Sequence, residues 1–161
     1  MCECCKDTID LSNAFGYGPL IVKFKKLDPY AVIPVQTDGN TGMDMVAIKV
    51  EHTDNYIEYS TGIAVEIPEG YAGLLFPRSS VSKTNLILSN GVGLVDPNFR
   101  GEIRFRFKNN RNTTKQRANI YGIGDRIGQL VILPYPKITS LEVTELSETT
   151  RGEGGFGSTG K

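Results

Sequence analysis

Seven short runs rich in valine, isoleucine, tyrosine and phenylalanine recur along this chain, and no amphipathic run of helical length separates them. The runs cover residues 20–27, 43–50, 57–67, 71–76, 101–108, 126–133 and 138–146, with turn residues between nearly all of them. Pro68, Glu69 and Gly70 predict a type I turn with proline second and glycine fourth, and 121–125 supplies another break. One short helix is expected at 79–85, after Pro77, where hydroxyls can cap free N–H groups. Many short strands at this spacing imply an all-β, jelly-roll-like or barrel-like fold, and no internal repeat is present.

With 161 residues and 39% hydrophobic content, the chain is expected to form one domain with a real core. Its 18 basic and 18 acidic residues cancel, which argues against gripping nucleic acid or an anionic membrane through bulk charge. Any phosphate specificity must be local. No stretch approaches a membrane span, and residues 1–6 lack the basic and apolar regions of a secretory signal, so the expected location is the cytoplasm, or the host cytoplasm for a viral protein. Cys2, Cys4 and Cys5 crowd the first pentapeptide, but structural zinc needs four ligands and His52 is the only histidine, so frayed thiols are expected there and a surface turn at His52. The expected organisation is a tail at 1–19, a β domain at 20–146 and a flexible arm at 147–161.

The arm carries Arg151, Phe156, Ser158 and Thr159 among closely spaced glycines. Its glycines match the spacing of nucleotide-binding and Walker loops, yet the strand and helix those mechanisms need are missing downstream. Such a segment orders when an anion engages its exposed N–H groups, which makes it a mobile clamp; the alternative is a disordered tail. In residues 103–108, strict alternation puts Ile103, Phe105 and Phe107 on one face and Arg104, Arg106 and Lys108 on the other. That pattern is a half-buried strand before it is a nucleic-acid surface, and 109–116 follows as a polar hairpin loop.

Four further segments carry candidate chemistry, each with a plain structural alternative. Pro77, Arg78, Ser79 and Ser80 set a guanidinium and two hydroxyls at the start of the expected helix, a phosphate cradle or simply a polar loop. Residues 90–101 read as a tight hairpin, in which a small-residue strand through Gly91 and Gly93 leads to Asp96, Pro97, Asn98 and Phe99, and Asp96 also suits the first position of the turn. Glycine weakens a strand unless another backbone or a ligand comes close, so Gly91 and Gly93 need a reason. Asp44 follows a loop and equally suits a cap, and Gln129 sits inside an apolar strand, where a polar side chain commonly satisfies backbone groups.

Together and in this order, these five segments resemble the five motifs of the homotrimeric dUTPase family, across about residues 38–160. The resemblance implies an all-β, jelly-roll-like β-barrel with one short helix, assembled as a homotrimer whose active sites are shared between subunits. It implies hydrolysis of dUTP to dUMP and pyrophosphate, which clears dUTP from the nucleotide pool and supplies dUMP for thymidylate synthesis. It implies Mg2+, with Asp44 acting on the ion through water, because a triphosphate carries about four negative charges that need neutralising. Arg78, Ser79 and Ser80 would hold the phosphates, Gln129 would donate near the α-phosphate, and Arg151, Ser158 and Thr159 would clamp the γ end. Asp96 would orient the attacking water and bind the sugar hydroxyl. Asn90, Gly91 and Gly93 would read uracil through the backbone, with Phe156 stacking on the base. Phe99 stands where the family usually has tyrosine beneath the deoxyribose, keeping the ring and losing the phenol, and Pro97 and Asn98 also depart from common family choices. Two alternatives share the fold: a dCTP deaminase and a nucleotide-dependent regulatory binding protein.

Overall fold

The computed structural model describes residues 20–109 and 120–155. Among these residues nine strands run in chain order: β1 Lys23–Lys26, β2 Met43–Val46, β3 Lys49–His52, β4 Ile57–Glu66, β5 Tyr71–Phe76, β6 Leu86–Leu88, β7 Gly93–Val95, β8 Glu102–Asn109 and β9 Arg126–Pro134. One sheet has the order β1-β4-β8-β6, with β3 also pairing β4, and the other has the order β2-β9-β5-β7. All pairings are antiparallel. The fold is all-β and jelly-roll-like; among the described residues the ladders form two sheets, not one closed barrel.

Both sheets contribute to one core. Ile103, Phe105 and Phe107 are at most 2% exposed, as their alternation predicted. Tyr59 meets Phe107 edge-on at 5.7 Å and Tyr121 at 6.1 Å, arrangements that suit the ring quadrupoles. The Tyr59 hydroxyl donates to the Tyr121 carbonyl, and burial pushes its pKa up to about 12. From the other sheet come Met45, Leu75, Val95 and Leu130, all buried. Gly128 lies directly under Phe105, where a Cβ would stand 2.1 Å from the ring, so glycine lets the sheets close.

β4 is buried along nearly its whole length, on both faces. Its outward Glu58 is covered by Arg104 and Arg106, which donate to its two oxygens at 2.9 and 2.7 Å. Burial raises the Glu58 pKa, but the hydrogen bonds and charges of the two arginines outweigh it and hold the carboxyl below its ordinary range. Arg106 also lies 4.6 Å over the Tyr56 ring.

Several sequence expectations shift. The run 43–50 is two strands: β2 joins one sheet and β3 the other, with Ala47 and Ile48 crossing between them, bonded to Asp125 and Ser60. The turn after β4 lies one residue later than expected, closed from the Tyr71 N–H to the Pro68 carbonyl with Gly70 third at φ +82, a conformation glycine adopts freely. The helix is a five-residue 3-10 turn, Ser79–Lys83, without a side-chain cap. His52 is exposed but ends β3 and is not in a turn.

The largest correction concerns 138–146, which forms no strand. Ile138, Leu141 and Leu146 are 79%, 83% and 87% exposed, so among the described residues the apolar side chains of this run pack on neither sheet. Pro136, two residues upstream of the run, also lacks the N–H a ladder needs. The break at 121–125 holds, with Asp125 accepting from the Gly122 N–H and Gly124 at φ +88. The cysteines and positions 110–116 of the expected polar loop lie outside the described residues.

Candidate active site

Asp44 and Gln129 are register partners on β2 and β9, so their side chains stand on one face of the sheet. Gly42 leaves the space that Gln129 fills, since a Cβ there would lie 3.2 Å from its side chain. Phe76, the last residue of β5, pairs with Gln129 on its other side, and the chain then turns through Pro77 to deliver Arg78. Arg78 Nε donates to Asp44 Oδ1 at 2.8 Å, Gln129 Nε2 approaches the same oxygen at 3.3 Å, and Arg126 Nη1 donates to Oδ2 at 3.1 Å. Three sequence-predicted residues therefore meet at one half-buried carboxylate. Two guanidiniums against one carboxylate leave the cluster locally cationic in a chain of zero net charge.

Arg126 opens the run 126–133, and nothing in the sequence marks it for a role. Regular alternation would put it on the face opposite Gln129, three residues away. The register Met45↔Gly128 followed by Val46↔Arg126 leaves Ile127 as an extra residue, and this bulge turns Arg126 onto the Asp44 face. A bulge has no composition signal here, so the sequence could not reveal it.

Ser79 and Ser80 follow Arg78 at the start of the 3-10 turn. That turn is too short for a helix dipole to matter, so an anion there would be held by side chains and Arg78, not by a helix terminus.

The glycine hairpin has structural reasons of its own. Gly91 takes φ +67 in the turn between β6 and β7, and Gly93 has Leu75 Cβ 3.0 Å from where its own Cβ would be. Asn90, Gly93 and Phe99 line one cleft of about 510 Å³, floored by Leu75, Val95 and Phe105. Asp96 initiates the expected tight turn, closed from the Phe99 N–H to its carbonyl at 3.1 Å. Its side chain is exposed and lines a separate depression with Gly70, Asn98, Tyr135 and Lys137.

Within one chain Asp96 does not reach the Asp44 cluster. The order β2-β9-β5-β7 and the registers Phe76↔Gln129 and Leu75↔Gly93 put it three strand spacings across and four residues along. That is about 20 Å between backbones, far beyond the roughly 6 Å that one bridging water spans. Arg151 is likewise elsewhere: it is exposed, and its Nε donates to the Gly154 carbonyl at 2.8 Å. Phe156, Ser158 and Thr159 lie outside the described residues.

Fold and site together define a two-sheet β protein with a cationic cluster on one sheet and a cleft lined by Asn90, Gly93 and Phe99 beside a carboxylate turn. Known proteins resemble this chain in sequence and in fold. The dUTPase family model matches residues 28–160. The deoxyuridine 5'-triphosphate nucleotidohydrolase of Thermobifida fusca is 38% identical over 155 residues, covering 94% of this chain and 84% of its own. That of Escherichia phage T5 is 33% identical, covering 87% and 99%. Among solved structures, the dUTPase of Staphylococcus bacteriophage 80alpha with dUpNHpp superposes with a TM-score of 0.74 at 29% identity, covering 88% of this chain and 99% of that one. A variant dUTPase of phage phi11 of S. aureus, described with a structural Mg(II) ion, gives 0.64 at 26% identity, covering 78% and 97%. The chain belongs to the dUTPase family, and it is an enzyme, a dUTP diphosphatase.

Proposed function

We propose that the chain hydrolyses dUTP to dUMP and pyrophosphate in sites shared between the subunits of a homotrimer, removing dUTP from the nucleotide pool and supplying dUMP for thymidylate synthesis. The observation that carries this reading is the convergence of Arg78, Gln129 and Arg126 on Asp44, about 20 Å along the sheet from Asp96. A second copy is needed to bring the carboxylate turn to the cluster. The outer face of the β2-β9-β5-β7 sheet supports such docking, since Leu74, Leu94 and Val131 are adjacent on it and Leu94 is 65% exposed. The β domain spans 20–146, and the unpaired apolar run 138–146 within it is available to a neighbouring copy. Residues 147–161 then act as the arm that closes over a neighbour's site.

In the assembled site, Arg78, Ser79, Ser80 and Gln129 bind the phosphate chain, and Arg151, Ser158 and Thr159 close on its γ end. Asn90 and the hairpin backbone around Gly91 and Gly93 read uracil, Phe99 lies under the deoxyribose, and Phe156 covers the base. Asp96 aims a water in line at the α-phosphorus and accepts its proton as pyrophosphate leaves. Fixed donors around the phosphates stabilise the charge that develops without reorganising.

Mg2+ fits this donor set only as an ion carried by the substrate. No group of three or more His, Cys, Asp or Glu side chains able to hold a metal occurs among the described residues. Asp44 already accepts three N–H groups, which leaves about one of the roughly four lone-pair sites of a carboxylate for a water from the ion's shell. Asp44 would hold the ion through such a water, and the ion would supply charge neutralisation on the triphosphate.

Incubation with dUTP or dCTP and Mg2+, followed by assay for pyrophosphate and ammonia, tests the reading. Pyrophosphate from dUTP is expected. Ammonia from dCTP, or neither product, would replace it with the deaminase or the non-catalytic binding protein. A native mass equal to one chain would refute the shared site.

A further inference from the structure

The Phe99 ring rests on a bare backbone position. A Cβ built on Gly101 would stand 2.6 Å from its Cζ, 3.0 Å from Cε2 and 3.4 Å from Cε1, so the far edge of the ring fills the volume a side chain would need. Gly101 is not among the positive-φ glycines, so its backbone would accept alanine. The requirement for glycine comes from the ring.

The turn carrying that ring is braced. Its Phe99 N–H closes onto the Asp96 carbonyl, and Arg100 Nη1 donates to the carbonyls of Pro97 and Phe99, the latter at 2.8 Å. A ring displaced from Gly101 therefore cannot take its backbone along and must swing about its side-chain torsions. Phe99 lines the cleft that also holds Asn90 and Gly93, so the ring's position governs the width of that cleft.

We propose that Gly101 is a specificity-determining, positioning residue: the missing side chain at 101 sets how far the Phe99 ring stands into the nucleoside cleft. This rests on the assignment of that cleft to the nucleoside. Restoring ordinary contact would move the ring edge by roughly 1 Å, enough to spoil the fit of a sugar against it. The Asp96 carboxylate lies upstream in the same turn and keeps its place.

The test is steady-state hydrolysis of dUTP and UTP by the full chain and by G101A, F99A and F99A/G101A. For G101A the KM for dUTP rises at least tenfold, kcat stays within about threefold, and the preference for dUTP over UTP falls, because the better-fitting sugar loses more. In the F99A background the same substitution changes neither KM nor melting temperature, since no ring remains to displace. An unchanged KM in G101A, or an equal rise in the F99A background, overturns the proposal. If G101A does not fold, comparison of F99A with F99A/G101A still decides, with a further loss in the double variant counting against it. Wild-type protein that releases no pyrophosphate from dUTP would instead remove the underlying assignment.

Discussion

Replacing Asp44 by asparagine keeps the shape of the junction and removes its charge. Arg78 Nε loses a charge-assisted hydrogen bond of 2.8 Å between side chains that are 23% and 28% exposed. Bonds of this kind contribute about 1.5–3 kcal/mol when shielded, and partial exposure brings the figure to about 1–2 kcal/mol. The Arg126 pair, 59% exposed on the arginine side, adds under about 1 kcal/mol, and Gln129 at 3.3 Å adds little. Asparagine also turns an N–H₂ group toward one of the arginines, so that donor faces donor. The sum is roughly 2 kcal/mol, divided between holding the fold and holding Arg78 and Gln129 ready for phosphate. At about 2–4 °C per kcal/mol for a chain of this size, the melting temperature should fall by no more than roughly 4–8 °C. Loss of preorganisation worth about 1–2 kcal/mol lowers kcat/KM for dUTP by roughly 5- to 30-fold. Pyrophosphate release and a thermal melt measure the two parts separately. Wild-type kcat/KM together with an unchanged melt in D44N would refute the view that this carboxylate organises the cluster. Arg126→Gln, which leaves the Arg78 bond in place, should cost less than D44N in both assays.

Asp96→Asn should depress turnover by orders of magnitude while a non-hydrolysable dUTP analogue still binds with near-native affinity; retained turnover in a single-turnover assay would remove Asp96 from the chemistry. Gly128→Ala forces a methyl to within 2.1 Å of the buried Phe105 ring and should destabilise the fold by about 1–3 kcal/mol or more, read as a lower denaturant midpoint. Because the folded Glu58 carboxyl titrates below its ordinary 4.5, its pairs with Arg104 and Arg106 are fully formed above that pH and are lost as pH falls through the lower folded value. Melting temperature should therefore drop on acidification below about pH 4.5, and Glu58→Gln should show a shallower drop; identical profiles would contradict the assignment.

Much of the scaffold was legible because its signals are local. The alternation of Ile103, Phe105 and Phe107 names the buried face of β8 directly, and the run 71–76 matches β5 residue for residue. The order of five short segments was enough to place the chain in its family. Other features depend on neighbours that a sequence does not name. The three-residue strand β6 is too short for periodicity to register, and it exists because β8 offers it an edge. Gly93 suits a close ligand approach in the sequence, and in the fold a Cβ there would also stand 3.0 Å from Leu75 on the adjacent strand.

The all-β class and the buried face of β8 are written in consecutive residues, because side-chain alternation and turn chemistry are local properties. The meeting of Arg78, Gln129 and Arg126 at Asp44, the bulge at Ile127 that recruits the last of these, and the distance that keeps Asp96 from joining them in the same chain arise in the folded state. Those outcomes follow from pairing register and sheet order, which are set by contacts between residues distant in sequence.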